Sequence, residues 1–147
     1  MRTITYKGLM ANQTIHRIRL GTKKGLTGYR IKKLQVFPFE DDTIEATVKV
    51  FSVEPAGATN SANFDDPTLL GAVYFSMDSG SAAAPEDTTV VMDNKIVNQD
   101  IFITLRCHTN IASLNYYIEL ESIDLDLGEA TVATLKDMRG NYTNQDP

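Results

Sequence analysis

A chain of 147 residues, 42% hydrophobic and 22% charged, has the length of one domain, and at that size a core forms without covalent staples. One cysteine excludes an intrachain disulfide, and no apolar run approaches the roughly 18 residues a membrane-spanning helix needs. A net charge of −5 argues against general nucleic-acid binding.

The N-terminus, Met1-Arg-Thr-Ile-Thr-Tyr-Lys7, carries charge but no apolar run behind it, which sets the expectation of a protein made in a cytoplasm without a secretory leader. From there the main signal is period-two alternation. Residues 2–8, 13–20 and 28–37 are the first strand candidates, with the turn residues Gly21-Thr-Lys-Lys-Gly25 between the second and third. After Pro38-Phe-Glu-Asp-Asp42, apolar Ile44, Ala46, Val48 and Val50 alternate with Glu45, Thr47 and Lys49, the pattern of a strand with one buried face. The stretch from Pro55 to Pro67 is unpatterned and, except for Phe64, small and polar; loops of that length in compact domains are functional or disordered. Residues 69–77 and 87–93 flank a turn-rich segment, Asp78 to Pro85.

Two clean strands follow. Ile101, Ile103, Leu105 and Cys107 alternate with Phe102, Thr104, Arg106 and His108, and Leu114, Tyr116, Ile118 and Leu120 alternate with Asn115, Tyr117, Glu119 and Glu121. The apolar phase then moves to Ile123, Leu125 and Leu127, which predicts a bulge or kink near Glu121 and Ser122. Asp126 is placed to cap a helix, Glu129 to complete a capping box, and Gly140 to end the helix, whose apolar side would be Ala130, Ala133, Leu135 and Met138. The expected fold is therefore all-β: an antiparallel β-sandwich of about eight strands, jelly-roll-like, over residues 1–126, with a short C-terminal helix and polar tail over 127–147.

Catalysis needs groups held together with tuned pKa values, and few candidates exist. His16 reads as a strand residue. His108 directly follows Cys107, so the two point to opposite faces of one strand and cannot form a nucleophile–base pair; Cys107 reads as a core thiol. No nucleophile elbow, phosphate loop, zinc-protease helix motif or paired-cysteine spacing occurs. The carboxylates Glu40-Asp41-Asp42, Asp65-Asp66, Asp124 and Asp126 are oxygen ligands of the kind calcium takes, but acidic turns are ordinary solvated punctuation and the EF-hand spacing is absent. No catalytic residue, metal or cofactor is expected.

Charge is uneven along the chain. Residues 1–50 hold ten Lys or Arg against four Asp or Glu, so they carry +6; residues 51–147 hold four against fifteen, so they carry −11. Lys23, Lys24, Arg30, Lys32 and Lys33, together with Arg17 and Arg19, could line one sheet edge, either to discourage unwanted strand pairing or to meet an acidic partner.

The order of Thr14-Ile-His-Arg-Ile-Arg19, Gly28-Tyr-Arg-Ile-Lys-Lys-Leu-Gln-Val-Phe-Pro38, Asn115-Tyr-Tyr-Ile-Glu-Leu-Glu121 and Glu129-Ala-Thr-Val-Ala-Thr-Leu-Lys136 resembles small β-rich virion structural proteins of marine tailed bacteriophages, of the capsid cement or decoration kind. The resemblance covers most of the chain, but its motifs are structural and no site travels with them. It implies a non-enzymatic component of the virion, bound to the major capsid protein or other virion proteins, or a minor protein of the tail or vertex. It further implies a homo-oligomer, with a trimer favoured, while the acidic charge and the lack of a long apolar run set the expectation of no nucleic-acid or membrane contact. The interface residues expected are Lys23, Lys24, Arg30, Lys32 and Lys33 of the basic segment, Phe64 of the long loop, and Leu135 and Met138 of the amphipathic C-terminal segment. Two other readings remain: a carbohydrate-binding β-sandwich for host attachment, resting on Tyr29, Tyr74, Tyr116 and Tyr117 because Trp is absent, and a metal-assisted enzyme resting on Asp41, Asp42, Asp65 and Asp66.

Overall fold

A computed structural model of the protein describes residues 2–21, 25–40, 42–77, 87–108, 111–126, 128, 129, 131 and 134. Eight strands form: β1 (Arg2–Met10), β2 (Thr14–Ile18), β3 (Thr27–Pro38), β4 (Ile44–Phe51), β5 (Leu69–Met77), β6 (Asp87–Met92), β7 (Ile101–Cys107) and β8 (Leu114–Asp124). They make two antiparallel sheets, a three-stranded sheet in the order β1-β8-β3 and a five-stranded sheet in the order β2-β7-β4-β5-β6. The expected antiparallel β-sandwich is the observed fold.

The alternation read from the sequence is what packs it. Ile44, Ala46, Val48 and Val50 of β4, Ile101, Ile103, Leu105 and Cys107 of β7, and Leu114, Ile118 and Leu120 of β8 all join one core between the sheets, with Tyr116 packed at its margin. Burial of each Leu or Ile of this set contributes about 1.5–3 kcal/mol relative to exposure.

The strand order follows from winding a long antiparallel ribbon. Folding eight strands back on themselves pairs the first with the eighth, the second with the seventh, the third with the sixth and the fourth with the fifth, as in a jelly roll. Three of those pairs are present, β1 with β8, β2 with β7 and β4 with β5. The third-with-sixth pair is not. β6 is hydrogen-bonded to β5 instead, and β3 is an edge strand, bonded to β8 and, at Tyr29 alone, to Val97. This leaves three strands facing five.

The predicted bulge lies elsewhere. The β1–β8 ladder runs without a shift from Met10↔Leu114 to Arg2↔Ser122, and the irregularity is on β3, between Ile31 and Lys33. Lys32 is the extra residue: inward Tyr29 and Ile31 precede it and inward Leu34 and Val36 follow it. The apolar shift at Ile123 and Leu125 has a different cause. A second small cluster of Leu26, Ile96, Ile123 and Leu125 covers the outer face of the three-stranded sheet at that end. Gly28 lies beneath it, and a Cβ there would stand 2.6 Å from Ile96 Cγ2, so the close approach requires glycine.

Asp126 caps as predicted: its Oδ1 accepts the Glu129 N–H at 2.7 Å, and Gly128, Glu129, Thr131 and Thr134 are helical. Leu127, Ala130, Ala133, Leu135, Met138 and Gly140 lie outside the described residues. No helix among the described residues is long and apolar enough to cross a membrane.

Candidate functional site

The long loop after β4 has a structural explanation. On the outer face of the five-stranded sheet, Thr47, Lys49 and Phe51 would be exposed, yet all are buried, because residues 54–68 fold back over them. Lys49 fastens the loop: its Nζ donates to Thr59 Oγ1 at 2.6 Å and to the Ser61 carbonyl at 2.7 Å, and it lies 5.4 Å from the Phe51 ring centroid. Burial pushes the Lys49 pKa down, against the pull of nearby Asp66. Phe64, a predicted contact residue, stands out from this loop with 67% of its surface exposed.

Beside the loop is an arrangement with the connectivity of a catalytic triad. Thr47 Oγ1 is 2.7 Å from His108 Nε2, and His108 Nδ1 is 3.7 Å from Glu45 Oε1. Thr47 is buried, its hydroxyl also bonds the Asn60 carbonyl at 3.3 Å, and Tyr74 stacks edge-on against the imidazole at 5.8 Å. A nucleophile needs space for an acyl group and donors for its oxyanion, and loop and ring fill that space. Cys107 points the other way, into the core, where its thiol donates to the Ala112 carbonyl at 3.4 Å. His16 packs edge-on against Tyr116 at 6.2 Å. Among the described residues no three His, Cys, Asp or Glu gather as metal ligands; Asp66 Oδ1 instead accepts the N–H and hydroxyl of Thr68, and Asp41 lies outside the described residues.

The tyrosines of the carbohydrate reading do not share a face. Tyr29 is 3% exposed and donates its hydroxyl to the Gly21 carbonyl. Tyr116 packs inward, Tyr117 outward on the same strand, and Tyr74 lies on the other sheet.

Among the described residues a concavity of about 970 Å³ lies at the three-stranded sheet, with inward Leu34, Val36 and Tyr116 in its lining beside residues of the sheet's outer face. Two cross-strand rows of its outer face contribute: Lys7, Tyr117 and Gln35 in one, and Leu9, Asn115 and Phe37 in the next. Beyond the free edge of β3 the lining continues with Thr88, Val90 and Met92 of β6. Phe37 is 72% exposed and Leu9 44%, and along the same end of the sheet Phe39 and Ile111 are exposed as well. Lys7, Lys32 and Lys33 are the charged members of the lining, and no carboxylate is among them. Within the sheet, Glu119 accepts the Tyr117 hydroxyl at 3.1 Å, which raises the tyrosine pKa.

The predicted interface residues therefore separate. Lys32 and Lys33 line the concavity. Arg30 does not; its Nη2 binds Glu121 Oε2 at 2.6 Å, and that contact, first, holds the Glu121 carboxyl below the usual carboxylate range. Phe64 lines a smaller hollow with Leu69, Leu70 and Val91, which touches the large one only through Met92. Lys23, Lys24, Leu135 and Met138 lie outside the described residues. The sequence reading missed Leu9, Phe37, Val90 and Met92. The signal was present: Phe37 is an aromatic on the polar phase of its strand, and Val90-Val91-Met92 is apolar on both faces.

Comparison with family models, with curated proteins and with solved structures finds no match to this chain.

Proposed function

We propose that this chain is a non-enzymatic virion protein of the cement or decoration type, which attaches to the viral coat by the outer face of its three-stranded sheet. The observation that carries the docking part is that exposed Leu9 and Phe37 line one concavity with Lys7, Lys32 and Lys33. Aromatic and aliphatic anchors with a charged rim are the composition of a protein interface, and contiguous exposed apolar surface is uncommon on a free monomer. The virion setting rests on the resemblance of the strand sequences. Self-association around a symmetry axis, three-fold by preference, belongs to the same reading, since closed cyclic assemblies are the usual form of soluble homo-oligomers.

The test is the protein inventory of purified particles from a virus that encodes the chain. The proposal expects the chain in the particle at a stoichiometry tied to capsid symmetry, and a Phe37→Asp variant that folds but is depleted from it. Particles that lack the wild-type chain would overturn the virion assignment.

A further inference from the structure

We infer that the open edge of β3 accepts one extended segment of a partner protein as a fourth strand of the three-stranded sheet, and that this segment alternates acidic and apolar residues. The inference rests on reading this surface as a protein-docking face and is independent of the virion setting.

The first observation is the missing pair. β3 and β6 approach each other but do not hydrogen-bond, although the winding of the other strands would place them side by side. Leu34 of β3 packs over β5: its Cδ2 lies 3.5 Å from where a Cβ on Gly71 would stand. β6, one strand further out, therefore projects past the edge of β3. Its pairing with β5 sets Thr88, Val90 and Met92 opposite Phe75, Val73 and Gly71, on the inner side of the sheet, yet Val90 and Met92 are each 40% exposed. Among the described residues this inward-facing apolar row is only partly covered, as the floor of a further strand position beside β3 would be.

The second observation is the backbone. Along a strand, residues whose side chains point to one face turn their amide and carbonyl to one lateral side. Tyr29 bonds Val97 in both directions, so the inward residues of β3 direct their backbone groups away from β8. Leu34 and Val36 are inward, and beyond Tyr29 the described residues place no strand against that side. Their N–H and C=O groups are what strand addition uses.

The third observation is charge. Edge strands are normally blunted, and this one has a bulge at Lys32, lysines at 32 and 33, and Pro38 at its end. These devices flank Leu34 to Val36 without covering it. They also select the occupant. Two copies meeting edge to edge would offer Lys32 and Lys33 no carboxylate, since none lines this edge. A segment with apolar side chains toward Val90 and Met92 and carboxylates toward Lys32 and Lys33 satisfies both sides of the position.

The probe is a short acetylated peptide in which valine alternates with glutamate, titrated into the isotope-labelled full chain and followed by amide shifts and hydrogen exchange. Two controls accompany it, one with lysine in place of glutamate and one with the valine amides N-methylated. Saturable binding is expected, with the largest shifts on β3 and β6 and slowed exchange at Leu34 and Val36. The lysine peptide should bind on the order of ten-fold more weakly, the methylated peptide not at all, and the pair Lys32→Glu with Lys33→Glu should reverse the charge preference. The inference is overturned if the glutamate peptide fails to saturate, binds at another surface, or binds no better than its controls. It is equally overturned if Leu34 and Val36 are already protected in the free protein and light scattering shows a dimer, since a second copy then fills the edge. Failure here with continued dependence of particle incorporation on Phe37 would leave the docking proposal standing, and peptide binding by a chain absent from particles would leave only this inference.

Discussion

Glu121 and Arg30 are one pair whose behaviour the geometry fixes. The Arg30 hydrogen bond lowers the Glu121 pKa, nearby Lys32 adds to the effect, and burial opposes it. A carboxyl whose folded pKa lies below its unfolded one contributes stability that is present above the unfolded value and is lost as pH falls through the folded value. Arg30→Met is therefore expected to lower the melting temperature at neutral pH and to flatten the acid limb of a stability–pH curve. An acid limb identical to wild type would remove Glu121 from the account. Lys49 is the second such residue. Lys49→Met deletes both bonds to the loop while keeping the apolar stem, so we expect a loss of ~1–3 kcal/mol and faster amide exchange through residues 54–68, with β4 itself unchanged. Both interactions were hidden in the sequence: Lys49 stands at an ordinary outward position, and only the fold-back of the loop buries it.

At the scale of elements, the inward faces of β4, β7 and β8 were legible because polar residues alternate with the apolar ones along each, even on β4, where the loop of residues 54–68 buries the polar face. The shift of phase at Ile123 was legible too, but its cause was misread. Ile123 and Leu125 leave the core phase because Leu26 and Ile96 cover them from outside, and alternation alone cannot separate a second cover from a bulge. The shift on β3, from Tyr29 and Ile31 to Leu34 and Val36, is the real insertion. Deleting Lys32 restores a regular alternation with every inward residue retained. We therefore expect that variant to fold, with stability changed by no more than ~1 kcal/mol, and to self-associate more than wild type, because a straight edge pairs more readily than a bulged one. Analytical ultracentrifugation over a concentration series measures this; a variant as monodisperse as its parent would show that the bulge does not guard the edge.

The whole molecule is a sandwich with unequal sheets, and that inequality creates the candidate site. Lys32 and Lys33 could be read as edge residues from their sequence alone. The overhang of β6 could not, because it depends on β6 pairing with β5 in preference to β3, a choice between two long-range partners that a short apolar run does not encode. Exposed Leu9 and Phe37 and the proposed strand position coincide on one side of the molecule, while the loop carrying Phe64 meets that side only at Met92. The proposed docking surface rests on this coincidence. The measurement that tests it most directly is amide hydrogen exchange of the chain free and bound to purified coat. The account predicts slowed exchange at Leu34 and Val36 of β3 and in β6, with residues 54–68 unchanged; protection confined to residues 54–68, with β3 and β6 exchanging as in the free chain, would contradict it.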